Sequence, residues 1–243
     1  MEAYTNVCWD KVKAVIFDVD GTLYTQRRLR KRMLRALVSY YALRPWRVQE
    51  MLILRRFRAE REKRPAYAGP NLEEDQYAWC ATGTAYSVGQ VRQVVQRWMF
   101  THPNQYLKAC IYPGTQALFE ALRARHIPIA IYSDYPAHDK LRALGLQADL
   151  IVSSTDAAVN RLKPDPRGLL YLAEQLGVEP HECLFIGDRP ELDGECARRA
   201  GMPCLIVDSK PQADFDFYQI LLNQLTSNPQ PIRYESDIYS NGR

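Results

Sequence analysis

The sequence predicts an α/β protein with a parallel sheet, interrupted after its first strand by an all-helical insertion. Three observations carry this. Beyond about residue 107, short apolar β-type runs alternate with helical patterns, as in strands joined by crossover helices. Several of those helical patterns close on a glycine, at Gly145, Gly177 and Gly201. Between Leu23 and about Leu107 no β-type run occurs.

The first strand is the apolar run Val15-Ile16-Phe17, which ends in Asp18-Val19-Asp20-Gly21-Thr22-Leu23. Tyr24 to Gln26 is a connector. Leu29, Met33, Leu34, Leu37, Val38 and Tyr41 then recur at helical spacing. Pro45 opens a second helix over Trp46 to Glu62, with Val48, Met51, Leu52, Leu54 and Phe57 apolar, and Trp46 is expected in the core with Phe57. Pro65 to Pro70 is a loop. Asn71 with Glu74, and Ser87 with Gln90, are spaced as capping boxes that start two more helices. In the second half, helices are expected over 115–125, 136–144, 166–176, 191–200 and 214–225. Strands are expected over 127–132, 149–152, 183–186 and 204–207. The division that follows is an α/β core over 1–23 and 107–226, a helical unit over 24–106, and a loose polar tail over 227–243.

At 243 residues, with 47% hydrophobic and 25% charged side chains, the chain can bury a large core. No stretch approaches the ~20 apolar residues of a membrane span, so no membrane partner is expected. Met1 to Asp10 holds no apolar run of the kind a signal peptide needs. Cys8, Cys80, Cys110, Cys183, Cys196 and Cys204 are scattered, without a C-x-x-C pair, and read as reduced thiols. These features together predict a soluble, cytoplasmic protein. The net charge of +4 conceals an asymmetry: Arg27 to Arg64 holds 14 Lys and Arg against three Glu, a net of +11. Arg55, Arg56, Arg58, Arg61, Lys63 and Arg64 are its densest part. The block reads first as a solvated helix face, and second as an attraction for an anionic substrate or partner.

Four elements carry chemistry. Asp18 and Asp20 lie at a strand end, where α/β sheets bind ligands, and two adjacent acids suit a nucleophile or metal ligand beside an acid/base. Ser133 ends the run Ile129 to Tyr132, where a hydroxyl and the N–H groups around Asp134 suit a phosphoryl oxygen. Lys163 precedes Pro164 ahead of a helix and offers a point charge. Asp188 follows Leu184-Phe185-Ile186-Gly187 and is a hard oxygen donor for Mg²⁺. Asp193, five residues on, is placed to orient ligands or a metal's water, with Glu191 and Glu195 as alternatives if the register differs.

In this order, each at a strand end or before a helix, these elements resemble the motifs of the haloacid dehalogenase-like (HAD) hydrolases. The likeness covers Val12 to about Val207, and the position of the helical insertion is similar to the cap of the phosphoglycolate phosphatase-like branch. The resemblance implies a Rossmann-like, doubly wound sheet and a phosphoric monoester hydrolase acting on a small phosphorylated substrate. It implies that Asp18 attacks phosphorus to form an aspartyl-phosphate and that Asp20 protonates the leaving oxygen and then activates water. Ser133, Asp134 and Lys163 would hold the phosphoryl group. Mg²⁺ would sit on Asp18, the carbonyl of Asp20, and Asp188. An acid at position 20 argues for phosphate esters over haloacids, because a halide leaves without a proton. Two alternatives stand beside hydrolysis. One is a phosphomutase or phosphotransferase on the same scaffold. The other is a non-catalytic binding or regulatory protein, against which the complete residue set argues.

Overall fold

The computed structural model describes residues 7–208 and 211–227. Five strands form one parallel sheet: β1 (Ala14–Phe17), β2 (Ile129–Ser133), β3 (Leu150–Ser153), β4 (Cys183–Gly187) and β5 (Cys204–Ile206), in the order β3-β2-β1-β4-β5. In β1, β2 and β4 every residue is buried, because helices cover both faces. The pleat splits each strand between two cores. Val15, Phe17, Ile129 and Ile131 face one layer, while Ala14, Ile16, Ala130 and Tyr132 face the other.

Between β1 and β2 lie α1 (Gln26–Ala42), α2 (Glu50–Glu62), α3 (Leu72–Ala81), α4 (Val88–Val95) and a short α5 (Asn104–Leu107). A π-type turn over Gln96–Thr101 extends α4. These helices enclose a core of their own, with Phe57, Tyr77, Val91, Val95 and Trp98 at its centre. The Ser87–Gln90 capping box forms in both directions, at 3.2 and 2.8 Å. Asn71 caps α3 through the Glu74 N–H at 3.3 Å. The crossover helices α6 (Thr115–Ala124) and α7 (His138–Leu144) pack on the Phe17 side together with the last helix, α10 (Phe217–Ser227). On the Tyr132 side lie α8 (Arg167–Leu176) and α9 (Glu195–Ala200). The sheet is therefore doubly wound, as expected.

Three expectations shift. The second helix starts at Glu50, because Pro45–Arg47 is a separate 3₁₀ turn, and Trp46 is exposed instead of buried. Leu34, Val38, Val48 and Leu52 are exposed with it. Apolar residues there outnumber the positions on one helix face, and the core takes the face bearing Met33, Ala36, Leu37, Tyr40 and Tyr41. The helix expected from Glu191 begins as a π-type turn over Pro190–Gly194, and the last helix begins at Phe217, after a 3₁₀ turn over Gln212–Asp214. The tail expected beyond Ser227 lies outside the described residues.

Close packing of α8 on β2 depends on Gly168, where a Cβ would stand 2.3 Å from ring carbons of Tyr132. Gly168→Ala is expected to destabilise the protein by about 1–3 kcal/mol through overpacking, measured by urea denaturation. An unchanged midpoint would mean that the ring yields without cost.

Candidate active site

The chain runs from β1 outward to β2 and β3, then returns to place β4 and β5 on the other side of β1. Ligands bind in the crevice beyond the carboxyl ends of strands at such a reversal, here between β1 and β4. Asp18 continues β1, its N–H bonded to the Ile186 carbonyl at 2.8 Å, and Asp188 follows the last residue of β4. Gly21, with φ +105°, lets the turn after Asp18 pass against Asp188. A Cβ at Gly21 would stand 2.0 Å from Asp188 Oδ2.

Lys163 is sealed in this crevice. Its Nζ donates to Asp18 Oδ1 and Asp193 Oδ1, both at 2.8 Å, and to the Tyr132 carbonyl at 3.2 Å. All three ammonium protons are thereby used. Burial alone would discharge this lysine, but Asp18, Asp193 and Asp134 outweigh it and hold its pKa well above the usual value. Asp193 Oδ2 accepts the N–H groups of Asp188 and Arg189 at 3.2 and 3.0 Å, so Asp193 fixes both Lys163 and the loop after β4. The Thr22 hydroxyl donates to Asp18 Oδ2 at 2.9 Å.

Burial pushes the Asp18 carboxyl up to about 6 despite Lys163. Burial, then repulsion from Asp18 and Asp193, pushes Asp188 up to about 8. Asp188 Oδ1 is buried and accepts no hydrogen bond. Carboxylate oxygens of Asp18, Asp188 and Asp193 lie within 4.8 Å of one another. Asp193 accepts three hydrogen bonds, two of them on Oδ2, whereas each Asp18 oxygen accepts one and Asp188 Oδ1 none. Asp18 and Asp188 are therefore the pair with most capacity left for a cation. Hard oxygen donors at a buried, orphaned carboxylate fit Mg²⁺. The Asp20 carbonyl accepts Gln26 Nε2 at 2.6 Å, which occupies one of its two lone pairs.

The Asp20 carboxylate has its own partners. Tyr24 donates to Oδ1, and Lys140, itself buried, pairs with Oδ2. Burial favours the neutral acid, but Lys140 and Tyr24 together hold Asp20 below the usual carboxylate range. Ser133 is buried at the end of β2, its Oγ accepting the Tyr135 N–H at 3.4 Å. The Asp134 carboxylate pairs with Arg189 and accepts the Ser154 hydroxyl, and its carbonyl accepts Arg61 from α2 at 2.7 Å. The expectation that Asp134 holds substrate phosphate therefore narrows to its backbone N–H, since the side chain is spent on Arg189. Glu191 is exposed and Glu195 pairs with Arg198 and Arg199, so neither replaces Asp193.

The sequence pattern led to Asp18, Asp20, Ser133, Lys163, Asp188 and Asp193, and missed Tyr24, Gln26, Arg61, Lys140 and Arg189. Lys140 left no signal in the sequence, where a lysine beside Leu141 reads as solvated; only the fold buries it against Asp20.

The chain belongs to the haloacid dehalogenase-like hydrolases, whose family model matches residues 12–201. It is 37% identical over 109 residues to a phosphoglycolate phosphatase of Rhodospirillum rubrum, covering 43% of this chain and 44% of that protein. It is 26% identical over 220 residues to a glyceraldehyde 3-phosphate phosphatase of Methanopyrus kandleri, covering 84% and 90%. The matched regions span just under half the length of the first curated relatives. The crystal structure of a HAD phosphatase from Thermococcus onnurineus superposes with a TM-score of 0.56 at 23% identity, over 86% of this chain and 98% of that one, a likeness of fold.

Removing Asp193 would leave Lys163 buried with one carboxylate and two amides without an acceptor. Asp193→Ala is expected to cost about 3 kcal/mol or more, read by chemical denaturation. Asp139→Ala, which breaks only the exposed pair with Arg142, should leave the midpoint in place. Equal midpoints for the two variants would remove Asp193 from its supporting role.

Proposed function

We propose that the protein is a Mg²⁺-dependent phosphatase that hydrolyses a small phosphate monoester through an aspartyl-phosphate on Asp18. The observation that carries this reading is the pairing of Asp18 with a buried Lys163 beside the orphaned oxygen of Asp188. The names of the phosphatase relatives support the substrate class. The unpaired state of all six cysteines fits a reducing, cytoplasmic setting.

Thr22 and Lys163 fix the two Asp18 oxygens, so the carboxylate is aimed before substrate arrives. An Asp18 oxygen attacks phosphorus and the ester oxygen departs with a proton from the Lys140–Asp20 pair. Asp20, kept ionised by Lys140 and Tyr24, relays that proton from the Lys140 ammonium and then returns to Lys140 a proton from the water that attacks the aspartyl-phosphate, and Asp18 and inorganic phosphate are released. Ser133 and the Asp134 N–H would hold the phosphoryl oxygens, while Lys163, its three protons already donated, would act on the phosphoryl group through its charge. Mg²⁺ on Asp18, Asp188 and the Asp20 carbonyl would supply the charge that lets a carboxylate and a phosphate approach. The helical segment 24–106 would act as a cap that excludes water and sorts substrates. Support for this comes from bonds between it and the core around Lys163: Ala66 N–H to the Lys163 carbonyl, and Leu162 N–H to the Tyr67 carbonyl, both at 3.3 Å.

Phosphate release from an aryl phosphate and a panel of phosphorylated metabolites tests the reading. Activity should require Mg²⁺, stop with chelator, and fall by about 10³-fold or more in Asp18→Asn. Activity that survives in Asp18→Asn would place the chemistry elsewhere. Transfer to an added sugar that outpaces hydrolysis would make the protein a phosphotransferase.

A further inference from the structure

A groove of about 650 Å³ lies on the helical segment, between α1 and the chain that follows α4. One wall is a stripe of α1: Arg32, Arg35 and Ser39 at i, i+3 and i+7, with the small Ala36 between them and Tyr40 beyond. The other wall carries His102, where the π-type turn over Gln96–Thr101 ends, and Tyr106 of α5. Such turns recur at functional sites. Ring contacts to Trp98 at 4.8 Å and Tyr106 at 5.8 Å hold His102 in place. Its Nε2 is buried without a hydrogen-bond partner among the described residues, a state that native proteins rarely leave unanswered. None of the lining residues is an acid. Arg35 is exposed and has no polar or ring partner among the described residues. Arg32 lies over the Tyr106 ring at 5.8 Å, a contact that leaves its N–H donors unspent.

From this cluster we propose that the groove is a second binding site, apart from the one around Asp18, for the phosphate group of a small ligand. Guanidiniums take phosphate oxygens bidentately, and the Ser39 hydroxyl and His102 supply donors for the oxygens that remain. Burial lowers the pKa of His102, so its part is a hydrogen bond and not a charge. The composition of α1 supports an anion here. The helix carries six cations, Arg27, Arg28, Arg30, Lys31, Arg32 and Arg35, and no acid. Arg28 and Arg32, and Lys31 and Arg35, stand four residues apart, a spacing at which like charges destabilise a helix. A phosphate between Arg32 and Arg35 offsets that repulsion. The arrangement favours a small ligand over a polyanion. Arg28 and Arg30 are already bonded to Gln212 and Gln26, and the exposed Arg27 and Lys31 do not line the groove. The groove shares no residue with the site around Asp18.

Titration of the full chain with inorganic phosphate, followed by NMR, tests the proposal. The reporter is the indole N–H of Trp98, which lines the groove and is identified by loss of its signal in Trp98→Phe. Chelator is present throughout, so that no Mg²⁺ draws phosphate to the Asp18 site. The signal should shift saturably, with a dissociation constant in the millimolar range, and sodium chloride of equal ionic strength should not move it. Arg32→Gln with Arg35→Gln keeps the helix propensity of α1 and should raise that constant about 10-fold or more. Arg27→Gln with Lys31→Gln removes the same charge outside the groove and should leave it unchanged. A parallel titration with glycerol phosphate separates the two sources of the group, since an ester that binds more tightly than free phosphate makes a phosphorylated metabolite the ligand. No saturable shift, a shift that survives in the Arg32/Arg35 variant, or equal losses in the two variants overturns the proposal. So does a single-stranded oligonucleotide that binds where phosphate does not and weakens in both variants, which would make α1 a nucleic-acid face. None of these outcomes depends on the assignment of Asp18.

Discussion

The ammonium of Lys163, with no contact to solvent, holds the site together. A buried cation is tolerated only when paired and fully hydrogen-bonded. Here three strand ends meet that condition: β1 through Asp18, β2 through the Tyr132 carbonyl, and the loop after β4 through Asp193. The lysine itself arrives from the segment between β3 and α8. Its burial therefore fixes the relative positions of four chain segments. Asp193 extends the arrangement by gripping the amides of Asp188 and Arg189. Lys163, which pairs with the candidate nucleophile, is thereby tied through Asp193 to the amide of the candidate metal ligand Asp188.

This explains which parts of the site could be read from the sequence. Asp18, Ser133 and Asp188 end strands, and a strand's end shows in a linear pattern because an apolar run stops at a polar residue. Lys163 shows through the Lys-Pro-Asp-Pro run ahead of a helix. Tyr24, Gln26, Lys140 and Arg189 have no such mark, because their value depends on which carboxylate or carbonyl a neighbouring element brings to them. Trp46 shows the converse failure. Helical periodicity from 46 to 57 contains more apolar residues than one face can bury, and nothing in the spacing says which are left outside. The core chose the side where Phe57 stacks on Tyr77. The boundaries at Glu50 and Glu195 moved for a related reason: a 3₁₀ or π-type turn has the composition of a helix but not its spacing.

Asp134 shows how the helical segment is coupled to the core. Its carboxylate binds Arg189, next to Asp188, and its carbonyl binds Arg61 from α2, whose guanidinium also lies over the Tyr135 ring. A second tie runs through Asn160, which accepts the Leu72 N–H at 2.8 Å and donates to the Gly69 carbonyl at 2.9 Å. Both ties start on loops at the carboxyl ends of strands, the loops that carry Ser133 and Lys163. A movement of the helical segment is therefore a movement against the candidate phosphate-binding groups themselves.

The net charge of +11 over Arg27 to Arg64 is correspondingly not one feature. Arg61 is buried at the junction, Arg64 lies over Trp79 and pairs with Glu60, and Lys63 shares that Glu60. Arg56 reaches the Thr82 carbonyl at the end of α3, and Arg32 lies over Tyr106. Long guanidinium side chains cover aromatic faces with their stems and keep their charge at the edge. That use needs many arginines and no anionic partner. A sum of charges cannot tell such packing cations from a binding surface. What separates them is whether each guanidinium already faces a ring, a carboxylate or a carbonyl. By that criterion most of the block belongs to the architecture of the helical segment, and the cations that reach the candidate site carboxylates are Lys163 and Lys140, which lie outside the block.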